Sequence, residues 1–256
     1  MNSIGFIGVG ELALYTIKGL RRGGYTGPIL LSPRNREKAA YLQQHFDCEI
    51  AADNQAVASG SDFVVIATRP AHCLDCLAGL EFKTSQLLIS VVAGIEIEQL
   101  RTVVPTGLQI VRAMPVSSAE ASASPTLIYP DHGFVRELFD YCGNAIAVDN
   151  EAFFTQGSIL ACVYSWFFAL YQELIAATEG PRLPSELSAQ LVMGMARGAA
   201  ELALANPQQS PGEIAEAIAT EGTFSKLGLD LLKQQQAFKP WREACHLLER
   251  KLAESD

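Results

Sequence analysis

A chain of 256 residues, 49% hydrophobic and only 18% charged, has ample material for one large core or two modest ones and is not disordered. Its formal net charge of −9 argues against a nucleic-acid partner, because phosphate binding wants a basic field. Six cysteines in a chain of this size need no disulfide framework, and Met1-Asn2-Ser3 lacks the basic start of a secretory leader, so a reduced, cytoplasmic protein is expected.

In chain order, strand patterns are predicted over residues 3–7, 29–31, 63–68, 87–92, 109–112, 126–129 and 145–148. Helical patterns fall between the early ones, at 12–22, 36–45, 54–58 and 97–103. Val/Ile-rich strands alternating with helices imply a parallel sheet covered on both faces. After Asp149 the strand signals stop. Helices are predicted over 153–178, 185–205, 211–220, 227–233 and 241–252, punctuated by Gly180-Pro181 and Asn206-Pro207. The expected fold class is therefore α/β: an N-terminal doubly wound Rossmann domain over 1–150, followed by an all-α domain over 151–256. The segment 153–178 is apolar nearly all round, yet interrupted by Thr155, Gln156, Ser158, Ser165, Gln172 and Glu173. It reads as a buried helix rather than a membrane span. A hundred residues of helix cannot easily bury it, so the helical domain is expected to form a homodimer.

The first strand runs into Gly8-Val9-Gly10-Glu11-Leu12-Ala13, a G-x-G-x-x-A turn that opens a helix. Gly8 suits the tight turn, Gly10 lets a pyrophosphate approach the backbone, and Ala13 lets helix and strand pack closely. The helix N-terminus adds amide donors and a partial positive charge. At the end of the second strand an NAD site usually carries an acid for the ribose hydroxyls. This chain instead reads Ser32-Pro33-Arg34-Asn35-Arg36, where Ser32 can donate a hydrogen bond and Arg34 or Arg36 can pair with a 2′-phosphate. NADP is favoured over NAD.

His72-Cys73-x-x-Cys76 is flanked by Leu74 and Leu77, which suggests an ordinary helix; no second Cys/His pair at ligand spacing accompanies it, so no metal is expected. His45, His132 and His246 read as surface residues. The aromatic run Tyr164, Trp166, Phe167, Phe168, Tyr171 reads as core or dimer packing, with a wall of an apolar pocket as the alternative.

Several stretches come in the order and spacing of pyrroline-5-carboxylate reductases. They are Gly8-Val9-Gly10, Ser32-Pro33-Arg34 with Lys38, Ala67-Thr68-Arg69-Pro70, Ser90-Val91-Val92-Ala93-Gly94-Ile95 and Val111-Arg112-Ala113-Met114-Pro115. Gly157-Ser158, Ala169-Leu170, Leu183-Pro184 and Gly198-Ala199-Ala200 continue the match, so the chain resembles that family over nearly its whole length. The resemblance implies that Ala67, Thr68, Arg69 and Pro70 border the cofactor, and that Ala93, Met114 and Pro115 approach its nicotinamide end. The departures cluster elsewhere. Val116 stands where the family has Asn, Ile159 and Leu160 where it has Gly-Pro, and Phe168 where it has a helical Glu. Thr220-Glu221-Gly222-Thr223-Phe224 replaces a glycine-rich loop that holds the substrate carboxylate. Thr223 and Ser225 are the candidates for that loop's hydroxyl.

Hydride transfer needs orientation and a proton from the protein, the cofactor carrying the rest. The Lys and helical Asn of 3-hydroxyacid dehydrogenases have no counterpart here, which tilts the reading toward C=N reduction. The expected protein is thus an NADPH-dependent imine reductase with an altered site for a small-molecule substrate, without membrane or nucleic-acid partners. A carbonyl dehydrogenase and a non-catalytic NADP-binding sensor or partner protein remain as alternatives.

Overall fold

The computed structural model describes residues 2–253. Eight strands form one sheet in the order β3-β2-β1-β4-β5-β6-β7-β8. They are β1 (Ile4–Ile7), β2 (Ile29–Leu31), β3 (Glu49–Ile50), β4 (Phe63–Ile66), β5 (Leu87–Ser90), β6 (Gln109–Met114), β7 (Ser124–Tyr129) and β8 (Gly143–Ala147). The helices α1 (Glu11–Gly23), α2 (Arg36–Phe46), α3 (Asn54–Ser59), α4 (Pro70–Leu77), α5 (Ile97–Arg101) and α6 (Gly133–Asp140) accompany it.

The period-two pattern of the strands sorts the core into two layers. In β4, Val65 joins Phe6, Ile17, Leu20, Leu31, Ile89 and Val111 on one face. Its neighbours Val64 and Ile66 join Ile7, Val57, Leu77, Leu88 and Leu100 on the other. Strands buried on both faces read as continuous apolar runs, which is why they stand out in the sequence.

The expectation of a wholly parallel sheet needs one correction: β7 runs antiparallel to β6, pairing Ala113 with Ile128. The connection between them is the short stretch Pro115–Ala123 with its 3-10 turn at Ser117–Ala121. That is too short for a crossover, which takes a dozen or more residues. After α6, β8 returns parallel to β7. The two-residue β3 and the helix α6 are additions to the elements expected from sequence.

The chain divides into two compact units, the first ending at Ala161 and the second beginning at Cys162. The division falls within α7 (Glu151–Thr178), which is followed by α8 (Ser185–Ala205), α9 (Pro211–Ile218), α10 (Phe224–Gln234) and α11 (Lys239–Ala253). By length and composition α7 could cross a membrane, and only 11% of its most apolar window is buried within the chain. The expected burial of this helix is therefore not met inside a single copy: Leu160, Phe167 and Phe168 are exposed. In the second unit Val163, Ile175 and Ala219 are the only buried hydrophobic residues among those described.

Candidate functional site

The strand order reverses direction between β1 and β4, both paired to each other in parallel. In an open α/β sheet, such a switch point leaves a crevice at the carboxyl ends of the strands, where ligands bind. A cleft of about 900 Å³ lies there. Gly8, Val9, Gly10, Glu11 and Leu12 line it from the β1–α1 turn, Ser32, Arg34 and Arg36 from the end of β2, and Ala67, Thr68 and Arg69 from the end of β4.

The turn has the geometry its glycines allow. Gly8 adopts φ +94°, and a Cβ there would meet backbone of Ala67 at 2.8 Å. Any larger residue would both strain the turn and push apart the ends of β1 and β4. Gly10 is the N-cap of α1 and supplies no side-chain cap. The first amides of the helix are left as open donors, and a Cβ added at Gly10 would meet nothing within 4 Å. An uncapped helix end facing empty space above a glycine is the form of an anion cradle. Thr68 Oγ1 is buried in the same wall and makes no hydrogen bond of normal geometry. These features fit a dinucleotide pyrophosphate, with Gly10, Glu11 and Leu12 offering backbone donors.

Ser32 holds the cradle together. Its side chain is 1% exposed. The Gly8 amide donates to Ser32 Oγ at 2.9 Å, which fastens the end of β2 to the glycine turn. That bond leaves the Ser32 hydroxyl proton free to donate. Asn35 makes a second tie: its Nδ2 donates to the Val9 carbonyl at 2.9 Å, while its Oδ1 accepts from the Lys38 amide as N-cap of α2. The motif around Arg34 does not by itself reveal this role of Asn35. Its place one residue before a helix start was a usable signal. Asn54, His72 and Cys76 also line the cleft without any sequence signal for it.

Charge in the cleft is mostly positive, from Arg34, Arg36, Lys38 and Arg69. Glu11 Oε1 pairs with Lys38 Nζ at 2.7 Å, and this hydrogen bond holds the lysine above its ordinary pKa. Arg34 and Arg36 are exposed, as cations awaiting a solvated anion would be. Cys73, facing away, has its thiol pushed up to about 11 by burial.

Pro70, Ala93, Met114 and Pro115 are outside the lining of this cleft. Pro70 is the first residue of α4, with Arg69 as its N-cap. Ala93 follows the end of β5, and Met114 ends β6, so both lie at the same carboxyl edge, since Ile66, Ser90 and Arg112 are in register. Ala93 is exposed, whereas Met114 and Pro115 are buried. Beneath this edge Arg112, 2% exposed, donates from Nη1 to Glu151 Oε1 at 2.8 Å. The same oxygen accepts from the Ile97 amide at 2.9 Å, and the guanidinium lies 4.5 Å over the Phe154 ring. One carboxylate thereby joins β6, the start of α5 and the start of α7.

Thr223 and Ser225 belong to the second unit, at the first turn of α10. Thr223 is the N-cap: its Oγ1 accepts from the Lys226 amide at 3.2 Å and donates to the Thr220 carbonyl at 2.7 Å. Ser225 is exposed, as are Glu221 and Phe224. Val116 N donates to Ser124 Oγ at 3.0 Å in the first unit, so its backbone is fixed although its side chain is apolar.

Residues 3–94 match the family described as NADP oxidoreductase, coenzyme F420-dependent. Over 251 residues the chain is 28% identical to the pyrroline-5-carboxylate reductase of Pasteurella multocida, covering 91% of this chain and 90% of that one. It is 25% identical over 247 residues to the pyrroline-5-carboxylate reductase of Vibrio alginolyticus, with 91% and 90% covered. The crystal structure of Plasmodium falciparum pyrroline carboxylate reductase with NADP bound shares the fold, with a TM-score of 0.86 over 99% of this chain and 98% of that one at 19% identity. With its switch-point cleft and its two-part architecture, the chain is similar over about nine-tenths of its length to pyrroline-5-carboxylate reductases, which are NAD(P)-dependent oxidoreductases.

Proposed function

We propose that the protein is an NADPH-dependent reductase of a C=N bond whose substrate site differs from that of its relatives. The observation that carries this reading is the contrast between its two sides. The cleft at the ends of β1, β2 and β4 keeps an uncapped helix start, the Gly8–Ser32 tie and two exposed arginines, Arg34 and Arg36. The positions expected to meet the substrate carry Val116, Ile159, Leu160, Phe168, Glu221 and Phe224 instead of small or polar groups.

When bound, the reduced nicotinamide supplies the hydride. The chain's residues do the rest. The amides of Gly10, Glu11 and Leu12 hold the pyrophosphate, and Arg34 with Arg36 neutralise the 2′-phosphate through charge-assisted hydrogen bonds. Ala67, Thr68, Arg69 and Pro70 line the path of the dinucleotide, and Ala93, Met114 and Pro115 shape its reactive end. Thr223 and Ser225 are the proposed hydroxyls for positioning substrate and proton. Glu221 opposes a carboxylate that a glycine-rich loop would welcome, so the favoured substrate is an imine that is larger or less anionic than a small carboxylated pyrroline.

The α7 and α8 faces that the single chain leaves exposed fit a second copy, so the working form proposed is a homodimer through a helical domain, 151–256, that follows a dinucleotide domain, 1–150. A reduced cytoplasmic setting accords with the six free thiols.

The test is a steady-state panel of cyclic imines and 2-keto acids with NADPH oxidation followed by absorbance. Turnover of an imine, with kcat/KM for pyrroline-5-carboxylate below about 10⁴ M⁻¹s⁻¹, is the expected result. A higher value for that substrate would remove the altered-site reading. Turnover of keto acids alone would replace imine reduction with carbonyl reduction.

A further inference from the structure

Glu11 is the one carboxylate among the residues that line the cleft; the other charged groups there are Arg34, Arg36, Lys38 and Arg69, with His72 nearby on α4. It occupies the first position of α1. A carboxylate is electrostatically comfortable at that position, because the helix dipole is positive there. The same reason makes it the position a bound phosphate would use. Its side chain crosses to α2 and pairs with Lys38 at 2.7 Å. Lys38 is only three residues beyond Asn35, the N-cap that also anchors the Val9 carbonyl, so it shares a helix entry with Arg34 and Arg36. The hydrogen bond to Glu11 raises the Lys38 pKa, in keeping with the ammonium's pairing in the ligand-free protein.

We propose that Glu11 is a built-in competitor for the cofactor: it occupies Lys38 in the ligand-free protein, and a 2′-phosphorylated dinucleotide must draw Lys38 away from it. Lys38 is then a third cation for the 2′-phosphate, beside Arg34 and Arg36. Glu11 is the residue that sets how tightly NADPH is held and how strongly the site discriminates against NADH. The physical logic is exchange. An exposed ion pair is weak, so a dianionic phosphate can displace one carboxylate from a lysine. The displaced Glu11 then lies close to the pyrophosphate, where its charge limits affinity and favours release. This inference rests on the NADPH reading above.

The experiment is a double-mutant cycle of nucleotide dissociation constants, measured calorimetrically on the full-length protein. It covers the wild type, Glu11→Gln, Lys38→Met and the double variant, each with NADPH and NADH. Glu11→Gln is expected to tighten NADPH about tenfold and NADH about twofold or less, as for removal of one opposing charge from a solvated site. Lys38→Met is expected to weaken NADPH about threefold in the wild type and about thirtyfold in the Glu11→Gln background, a coupling that independent sites do not show. Equal losses in both backgrounds, or no change on Glu11→Gln, would overturn the proposal while leaving the NADPH preference of the wild type intact. A wild type that binds NADH as tightly as NADPH would overturn the cofactor reading itself. Glu11→Ala, read in parallel, guards against an effect peculiar to the glutamine, and thermal melts of all variants confirm that they fold.

Discussion

In the first unit the strands β1, β2, β4, β5 and β6 are almost wholly covered, and even an arginine is buried with its own carboxylate and aromatic ring. The second unit, built from the same kinds of residue, leaves Leu170, Leu174, Leu191, Met195, Leu227 and Leu231 exposed. A sheet with helices on both faces closes two cores by itself, whereas the helices of the second unit leave apolar stripes open within the single chain. The contrast teaches that apolar character and burial are separable within one chain. In the first unit composition is answered by the local fold; in the second, the single chain leaves the apolar faces of α7 and α8 exposed.

That comparison breaks or sharpens in three places. The largest effect is expected at the groove of about 500 Å³ between α7 and α8, lined by Leu170, Leu174, Leu191 and Met195. Light scattering at micromolar concentration should give about twice the chain mass for the wild type. Leu191→Asp should give a single chain mass or insoluble protein, because an interface that buries an unpaired carboxylate loses several kcal/mol. A monomeric wild type would dissolve the comparison, since the second unit would then tolerate its exposed stripe unaided.

A smaller effect is expected inside the first unit. Glu151→Ala leaves the guanidinium of Arg112, 2% exposed, without its partner. Breaking one side of such a pair costs about 3 kcal/mol. Hydrogen exchange at the β6 amides, Ile110 to Met114, should speed up by about two orders of magnitude, as that free energy implies. Unchanged protection there would mean that Arg112 is not held by Glu151.

The smallest effect per residue is titration of the buried thiols. Burial pushes Cys48 and Cys73 up to about 11 and Cys142 up to about 12. In the unfolded chain a thiol ionises near about 8.5. Because the folded values are raised, the unfolded state loses its protons first. The stabilisation is complete below that unfolded value and fades as pH climbs toward the folded ones. At pH 9.5 each thiol should cost about 1 kcal/mol, visible as a fall in Tm relative to pH 7.5. A flat Tm across that range would show that these thiols are not buried as described.

The fold was largely legible because its signals were strong. The strands Ile29–Leu31, Phe63–Ile66 and Leu87–Ser90 are buried on both faces, and α8 is bounded by Pro184 and Asn206. What escaped was short or masked. β3 is two residues long, beneath any detectable period. α6 buries Val135, Leu138 and Phe139, but follows Pro130-Asp131-His132-Gly133, which reads as a turn. The reversal of β7 depends on a connection length, not on the strand's own pattern. The glycine turn and the arginines of the cleft were readable as motifs, whereas the ties made by Ser32 and Asn35 and the reach of Glu11 to Lys38 join residues distant in sequence. A pairing of that kind leaves no periodic trace.

The hydrogen bond from the Gly8 amide to Ser32 has a consequence for cofactor engineering. The usual route from NADP to NAD preference is to place an acid at the end of the second strand. Here an aspartate at Ser32 would bring its charge and bulk into a position 1% exposed and would disturb the amide that shapes the turn. The two functions are mechanically linked at that residue. A redesign, or a lineage drifting toward NADH, therefore has its open route through Arg34 and Arg36, which are exposed and carry no such tie to the turn.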